Sequence, residues 1–348
     1  MIYQNTLKEI CSWTKVTEEQ IHQLFLKNEG VNVDVVKKDI GKSGFEIITN
    51  EGICFVTEYP ISYYNKKYGR VTSTQERMLD LSIPIPLYIG EGDMNKEVYM
   101  INNSSDPRSK SDEWLLAEFT EELAMTYFLR YFSQSQSFVE YKTIIFEAIE
   151  AYFMGLENIA IMALLPVFEG GLRNVQYSAL GMNKQNVSAK EFEKGLKKLI
   201  IKYGEVKTKE YIWHPGKSYN NDVEINFFTH ISPQSDVINA FRLFFSKVLY
   251  SDSNENVSSL NRHVILHMLK NEFNNRANFP RVFYALTHIT FIERLNNQDI
   301  PFLWPGYNND LEVIAWGSYL RKISNNFKDP RRKYLDILGI SNYNDGMQ

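Results

Sequence analysis

Asn158-Ile159-Ala160-Ile161-Met162-Ala163-Leu164-Leu165-Pro166-Val167-Phe168-Glu169-Gly170-Gly171-Leu172-Arg173 is the stretch on which the fold class turns. Its apolar run, Ile159 to Phe168, falls well short of the roughly 20 residues that cross a bilayer. The pattern continues as a helix over 155–179. Gly170-Gly171 sits inside that helical pattern and follows no strand, so the pair reads as a place of close helix packing.

Toward the C-terminus the reading stays helical. Segments 112–133, 136–153, 188–203, 233–251, 258–272, 277–297, 309–325 and 331–338 carry helical patterns. Residues 205–231, with His214-Pro215-Gly216, read as an irregular insertion. Toward the N-terminus, 4–28 read as two short helices, the second opened by Thr17 with Gln20 as its reciprocal cap and closed by Gly30. Val31, Val33 and Val35 alternate with polar residues, and Phe45–Ile48 and Ile53–Val56 flank a Thr49–Gly52 turn, the period and spacing of a hairpin. Pro84–Ile89 and Val98–Ile101 are further strand candidates. Asn102–Ser109 is polar and holds Pro107, so a linker is placed there. The expected chain is mainly α, with a small α+β domain over 1–107 and a helical domain over 108–348. No internal repeat or low-complexity tract is visible.

The chain has 348 residues, enough for two domains, and a net charge of −4, which argues against general coating of nucleic acid while leaving room for a local basic groove. Tyr (21) and Phe (22) are plentiful and fit helix–helix contacts. Cys11 and Cys54 are the only cysteines and form no CxxC, which excludes a cysteine zinc site or disulfide framework and fits a reducing cytoplasm. The start of the chain lacks the basic-then-apolar order of a signal peptide. A cytoplasmic protein with no membrane association is expected.

Asn261-Arg262-His263-Val264-Ile265-Leu266-His267 is the expected chemical centre. Ser258 or Ser259 would cap its helix, placing Arg262 near the end that attracts phosphate. Arg262 offers a permanent charge shaped for phosphate oxygens, and His267 a proton that moves near neutral pH. Metal-free RNA cleavage needs a base for the ribose 2′-hydroxyl, an acid for the leaving oxygen and a cation for the charged phosphorane. Arg262 and His267 lie about 140° apart on a regular helix, whereas His263 and His267 share a face. The competing reading is a plain helix with Val264, Ile265 and Leu266 in the core.

Residues 108–300 resemble the HEPN superfamily of helical bundles. The resemblance rests on Arg262, the polar His263, the apolar Val264-Ile265-Leu266 and then His267. It also rests on Leu260-Asn261, on Asn274-Asn275-Arg276-Ala277-Asn278, and on the alanine-bearing helix with Pro166, Glu169 and Arg173, which look like the abortive-infection-type branch. The resemblance implies a bundle of four or five helices, a homodimer whose two motifs share one cleft, RNA as partner and substrate, no cofactor or metal, and a toxin or antiphage role. Carried over, Arg262 and His267 are the catalytic pair, His263 assists, and Asn261, Glu169, Arg173 and Asn275 support the site or touch RNA. Relatives often have Gly after the motif His where this chain has Met268, which keeps open a helical module that binds RNA or protein without catalysis.

Other patterns are weaker. Glu169 and Arg173 are spaced for an ordinary ion pair along a helix. His263 and His267 also have zinc-helix spacing, but no third ligand follows. Lys194, Lys197, Lys198 and Lys202, like Arg331, Arg332 and Lys333, fit a solvated helix face or, beside a cleft, an RNA track. His214 beside Trp213 reads as structural, and no role falls to His230 or His288. No nucleotide-binding glycine motif occurs.

Overall fold

In the computed structural model the described residues are 3–39, 43–59, 71–182, 187–208, 225, 228–229, 232–251, 260–267, 273–302, 304 and 306–339. In chain order the elements begin with α1 (Gln4–Cys11), α2 (Glu18–Glu29), β1 (Asp34–Asp39), β2 (Ser43–Thr49), β3 (Gly52–Thr57) and α3 (Val71–Met78). There follow α4 (Glu91–Asn102), α5 (Pro107–Glu118), α6 (Glu121–Arg130), α7 (Lys142–Phe153), α8 (Glu157–Leu180), α9 (Ala189–Thr208) and α10 (Pro233–Phe244). The last are α11 (Arg262–Leu266), α12 (Asn278–Arg294), α13 (Leu311–Ile323) and α14 (Asp329–Ile337). The protein is mainly helical with one small N-terminal sheet. Among the described residues no helix is long and apolar enough to cross a membrane.

Two compact units divide the chain, one of residues 1–76 with 193–242, the other of 77–192 with 243–348. In the first, β1, β2 and β3 form an antiparallel meander whose second turn pairs Thr49 with Gly52, as the sequence predicts. Thr17 and Gln20 make the reciprocal cap of α2, and Gly30 ends that helix at φ 67°. Leu7, Ile10, Ile21 and Phe25 from α1 and α2 pack on Phe45, Ile47, Cys54 and Val56 of the sheet, the alternate positions of β2 and β3. The same unit takes residues from far along the chain. Asp236 of α10 accepts from the amides of Val71 (3.2 Å) and Thr72 (3.1 Å) and so caps α3.

Among its described residues the second unit holds helices joined by turns and no strand, and it is built around α12. That helix is buried from Asn278 to Thr290 on every side, the pattern of a helix surrounded by others. It packs on α8, which in turn packs on α7. Gly170 and Gly171 serve the close packing read from the sequence. A Cβ on Gly171 would stand 2.2 Å from the Phe138 ring, and one on Gly170 would stand 2.5 Å from the Tyr141 hydroxyl.

Several expectations change. Val98–Ile101 is not a strand; it lies in α4, where Met94, Val98 and Ile101 make one buried helix face. A run of four apolar residues fits strand or helix alike, and the helical period is the one that also takes in Met94. Pro84–Ile89 joins no sheet, and its two prolines lack the amide donors a ladder needs. The break expected at 107 falls inside the second unit. Asn103–Asp106 is only a turn between α4 and α5, and Asp106 caps α5 through the Ser109 amide at 3.1 Å. The helix expected over 112–133 is interrupted at Phe119, which turns into the core, and Thr120 caps α6.

One buried charge gives a pH-dependent prediction. Lys328, between α13 and α14, is 9% exposed, and no ion-pair partner reaches it among the described residues. Burial, then the nearby Arg276 and Arg332, push its ammonium down to about 8, against the attraction of Glu157 and Asp329. An unfolded lysine titrates near 10.4, so the unfolded chain binds more protons between pH 8 and 10.4. Stability therefore rises with pH across that window, and below it the charged lysine costs on the order of 3 kcal/mol. Lys328→Met is expected to raise the unfolding temperature at pH 7 by several degrees, an advantage that shrinks toward pH 10. Thermal unfolding at the two pH values checks it.

Candidate functional site

The site lies in the second unit, where α11 meets α8. Leu260, Val264 and Ile265 are buried and hold α11 in place. Its cap is Asn261, whose Oδ1 accepts from the amides of His263 (3.0 Å) and Val264 (3.2 Å) while its Nδ2 donates to the Ser251 carbonyl at 2.8 Å. Asn261 is fully buried. It caps α11 and also forms part of the wall of the depression beside the motif. Ser258 and Ser259, the caps expected from the sequence, lie outside the described residues, as do Met268, His214 and His230.

Five residues of helix carry too little aligned dipole to act as an anion site, so the charge of Arg262 itself must do that work. Arg262 is half-buried and forms an ion pair with Glu169 of α8: Nη2 donates to Oε2 at 3.3 Å, and Nε stands 2.6 Å from Oε1 without making a hydrogen bond to it. Glu169 is thus paired across to α11, not along its own helix to Arg173. Arg173, one turn onward, is half-buried, and among the described residues its Nε has no hydrogen-bond partner. Arg262 and Glu169 cancel, and Arg173 restores a net positive charge to the neighbourhood.

His263 and His267 are exposed, with ring centroids 4.5 Å apart and planes tilted by 55°. His267 stands just past the end of α11, its amide donating to the His263 carbonyl at 3.1 Å. That i→i−4 bond keeps His267 in helical register with Arg262, although α11 itself stops at Leu266. Beside these residues is an open depression of about 400 Å³, lined among others by Glu169, Ser188, Tyr250, Ser251, Arg262 and His263.

Asn275 is not part of the site. Its Nδ2 donates to Asp112 at 2.6 Å and its Oδ1 accepts from the Ala277 amide at 2.8 Å, so it belongs to the start of α12. His288 is buried in α12, its Nε2 2.9 Å from the Ile85 carbonyl oxygen, and burial pushes its pKa down to about 4. Lys194, Lys198 and Lys202 are exposed on α9, the ordinary solvated face. Among the described residues no three His, Cys, Asp or Glu side chains converge as metal ligands. A larger hollow of about 560 Å³, floored by Glu293, contains no residue of the motif.

One contributor was missed. The Tyr250 hydroxyl donates to Glu169 Oε1, the same oxygen that faces Arg262 Nε. Its ring stacks on Phe245 at 4.4 Å. Burial, and then the Glu169 carboxylate, push the phenol well above its usual pKa, so it is a hydroxyl donor at any ordinary pH. Nothing in the spacing of an aromatic-rich helix singles out this tyrosine from its neighbours.

No protein-family model, curated protein or solved structure matches the chain.

Proposed function

We propose that the protein is a metal-independent RNA endonuclease of HEPN type, serving a toxin or antiphage defence role in the cytoplasm. The observation that carries this is a fixed arginine beside a depression with two exposed imidazoles 4.5 Å apart. One imidazole, neutral, takes the proton of the ribose 2′-hydroxyl as O2′ attacks phosphorus. The other, protonated, gives its proton to the departing O5′. Arg262 faces the charge that builds on the phosphoryl oxygens. The products are a 2′,3′-cyclic phosphate and a free 5′-hydroxyl. His263, the neighbour that lines the depression, shares the acid–base work with His267, so one chain supplies both imidazoles. A homodimer, expected from the resemblance, would juxtapose two such sites and is not needed to complete one.

A second reading has a specific observation behind it. On α13 and α14, Leu311, Tyr334 and Ile337 are more than two-thirds exposed, as a partner-binding helical module would have them. The test is to incubate the full chain with single-stranded RNA in EDTA, map the cut, and repeat with a 2′-deoxy nucleotide 5′ to it. Cleavage of the first and resistance of the second are expected. An RNA left intact at stoichiometric protein overturns the nuclease in favour of the binding module, and equal cutting of both overturns the 2′-hydroxyl mechanism.

A further inference from the structure

We infer that Tyr250 is a positioning residue for Arg262, acting through Glu169; its effect on cleavage rests on the ribonuclease proposal, while its effect on the arginine does not. A guanidinium can present either of two bidentate edges to an oxyanion. Here Glu169 sits against the Nε/Nη2 side, its Oε2 accepting from Nη2 at 3.3 Å and its Oε1 standing 2.6 Å from Nε as an ion-pair contact without a hydrogen bond. That leaves Nη1 and the outer side of Nη2 for a phosphate. Which edge stays open depends on where the carboxylate is held, and Glu169 is a long side chain with three torsions of its own.

Tyr250 removes that freedom. Its hydroxyl is bonded to Oε1, its ring is stacked on Phe245, and Phe245 in turn lies against Phe168 and Phe192 at 6.4 and 6.1 Å. An aromatic ring wedged in this way has few rotamers, so the hydroxyl is a fixed point in the wall of the depression. The order of support runs from the aromatic core to the Tyr250 hydroxyl, to the Glu169 carboxylate, to the Arg262 guanidinium. The hydroxyl also satisfies one lone pair of Oε1. The carboxylate therefore stays an acceptor that orients the arginine and does not compete with the imidazoles for the 2′-hydroxyl proton.

Tyr250→Phe isolates the hydroxyl, because the new ring keeps the stack on Phe245. Two measurements are made on wild type, Tyr250→Phe and Glu169→Gln. One is steady-state cleavage of a short RNA in EDTA. The other is the rate at which phenylglyoxal modifies Arg262, followed by peptide mass mapping, which needs no substrate. For Tyr250→Phe, kcat is expected to fall about tenfold with KM within about twofold of wild type. Arg262 is expected to react about tenfold faster, and faster still in Glu169→Gln. Wild-type kcat together with wild-type arginine reactivity in Tyr250→Phe overturns the assignment. So does a raised KM at unchanged kcat, which would make Tyr250 a substrate contact. If wild type cuts no RNA at all, the ribonuclease proposal fails, and the arginine reactivity alone then upholds or refutes the role of Tyr250.

Discussion

Arg262→Ala is expected to lower RNA cleavage by at least about 10³-fold while the chain still folds. The size follows from the role. A cation preorganised toward the developing phosphorane charge has no substitute in the depression, and removing one such stabiliser costs about 10²–10³ in rate even when others remain. Arg173 is a turn away on α8 and supplies field without contact. The fold survives because α11 is held by the Asn261 cap and by Leu260, Val264 and Ile265, none of which uses the arginine head. Glu169 keeps its bond from Tyr250 when its ion pair is lost. Arg262→Lys is expected to stay severely impaired, since an ammonium lacks the planar fork that can pair with Glu169 and still present further N–H groups to a phosphate. His263→Ala and His267→Ala each remove one side of the proton transfer, worth about 10²–10⁴. Cleavage rates and thermal unfolding of the four variants, measured on the same preparations, check this. A His267→Ala protein with wild-type rate would move the acid–base work to His263 and a second group.

Asp112→Ala is expected to have the largest effect on stability, lowering it by about 3–5 kcal/mol. Arg281 is fully buried in the first turn of α12, and burial pulls its pKa down to about 10, the mark of a cation held where it is poorly solvated. Its Nη2 meets Asp112 Oδ1 at 2.5 Å and Nη1 donates to Asn278 Oδ1 at 3.2 Å. The other Asp112 oxygen takes the bond from Asn275. Removing the carboxylate leaves a buried guanidinium without a counter-charge and an amide without an acceptor. For a body of this size the unfolding temperature should fall by about 10 °C. Removing both charges, as in Asp112→Leu with Arg281→Met, should recover most of the loss, since the penalty is the unpaired ion and not the absence of the pair. The cleavage rate per folded molecule should be unchanged, because neither residue touches the depression. A full loss of stability in the double variant would show that the network organises α5 and α12 in some further way.

The comparison of sequence with structure divides along a physical line. Features set by neighbours a few residues apart were legible. The Thr17–Gln20 cap, the Thr49–Gly52 turn, the long helix through Pro166 and the glycine contact at 170–171 all depend on local spacing or on size. Features set by distant partners were not. The insertion of 193–242 into the same unit as 1–76 has no local signature, and neither does the capping of α3 by Asp236. Asn102–Ser109 has the composition of a linker and the structure of a tight turn, because Asp106 and Pro107 start a helix as readily as they loosen a chain. At the site, Arg262, His263 and His267 could be named from the motif, and Glu169 from its place in the helix. The pairing of Glu169 with Arg262 could not be named, since the two are 93 residues apart. Asn261 and Asn275 look alike as sequence. One is a buried cap in the wall of the site's depression and the other a tie between α12 and Asp112, a difference only their partners reveal.

The central claim is that the 2′-oxygen of RNA is the nucleophile at a metal-free Arg/His site. The termini of the products test it most directly. With wild-type protein, single-stranded RNA and EDTA, mass analysis should find a 2′,3′-cyclic phosphate, or the 3′-phosphate it hydrolyses to, on the upstream fragment and a 5′-hydroxyl on the downstream one. A 3′-hydroxyl paired with a 5′-phosphate would contradict the account, because it requires an external water as nucleophile and leaves the two imidazoles without the roles given to them here.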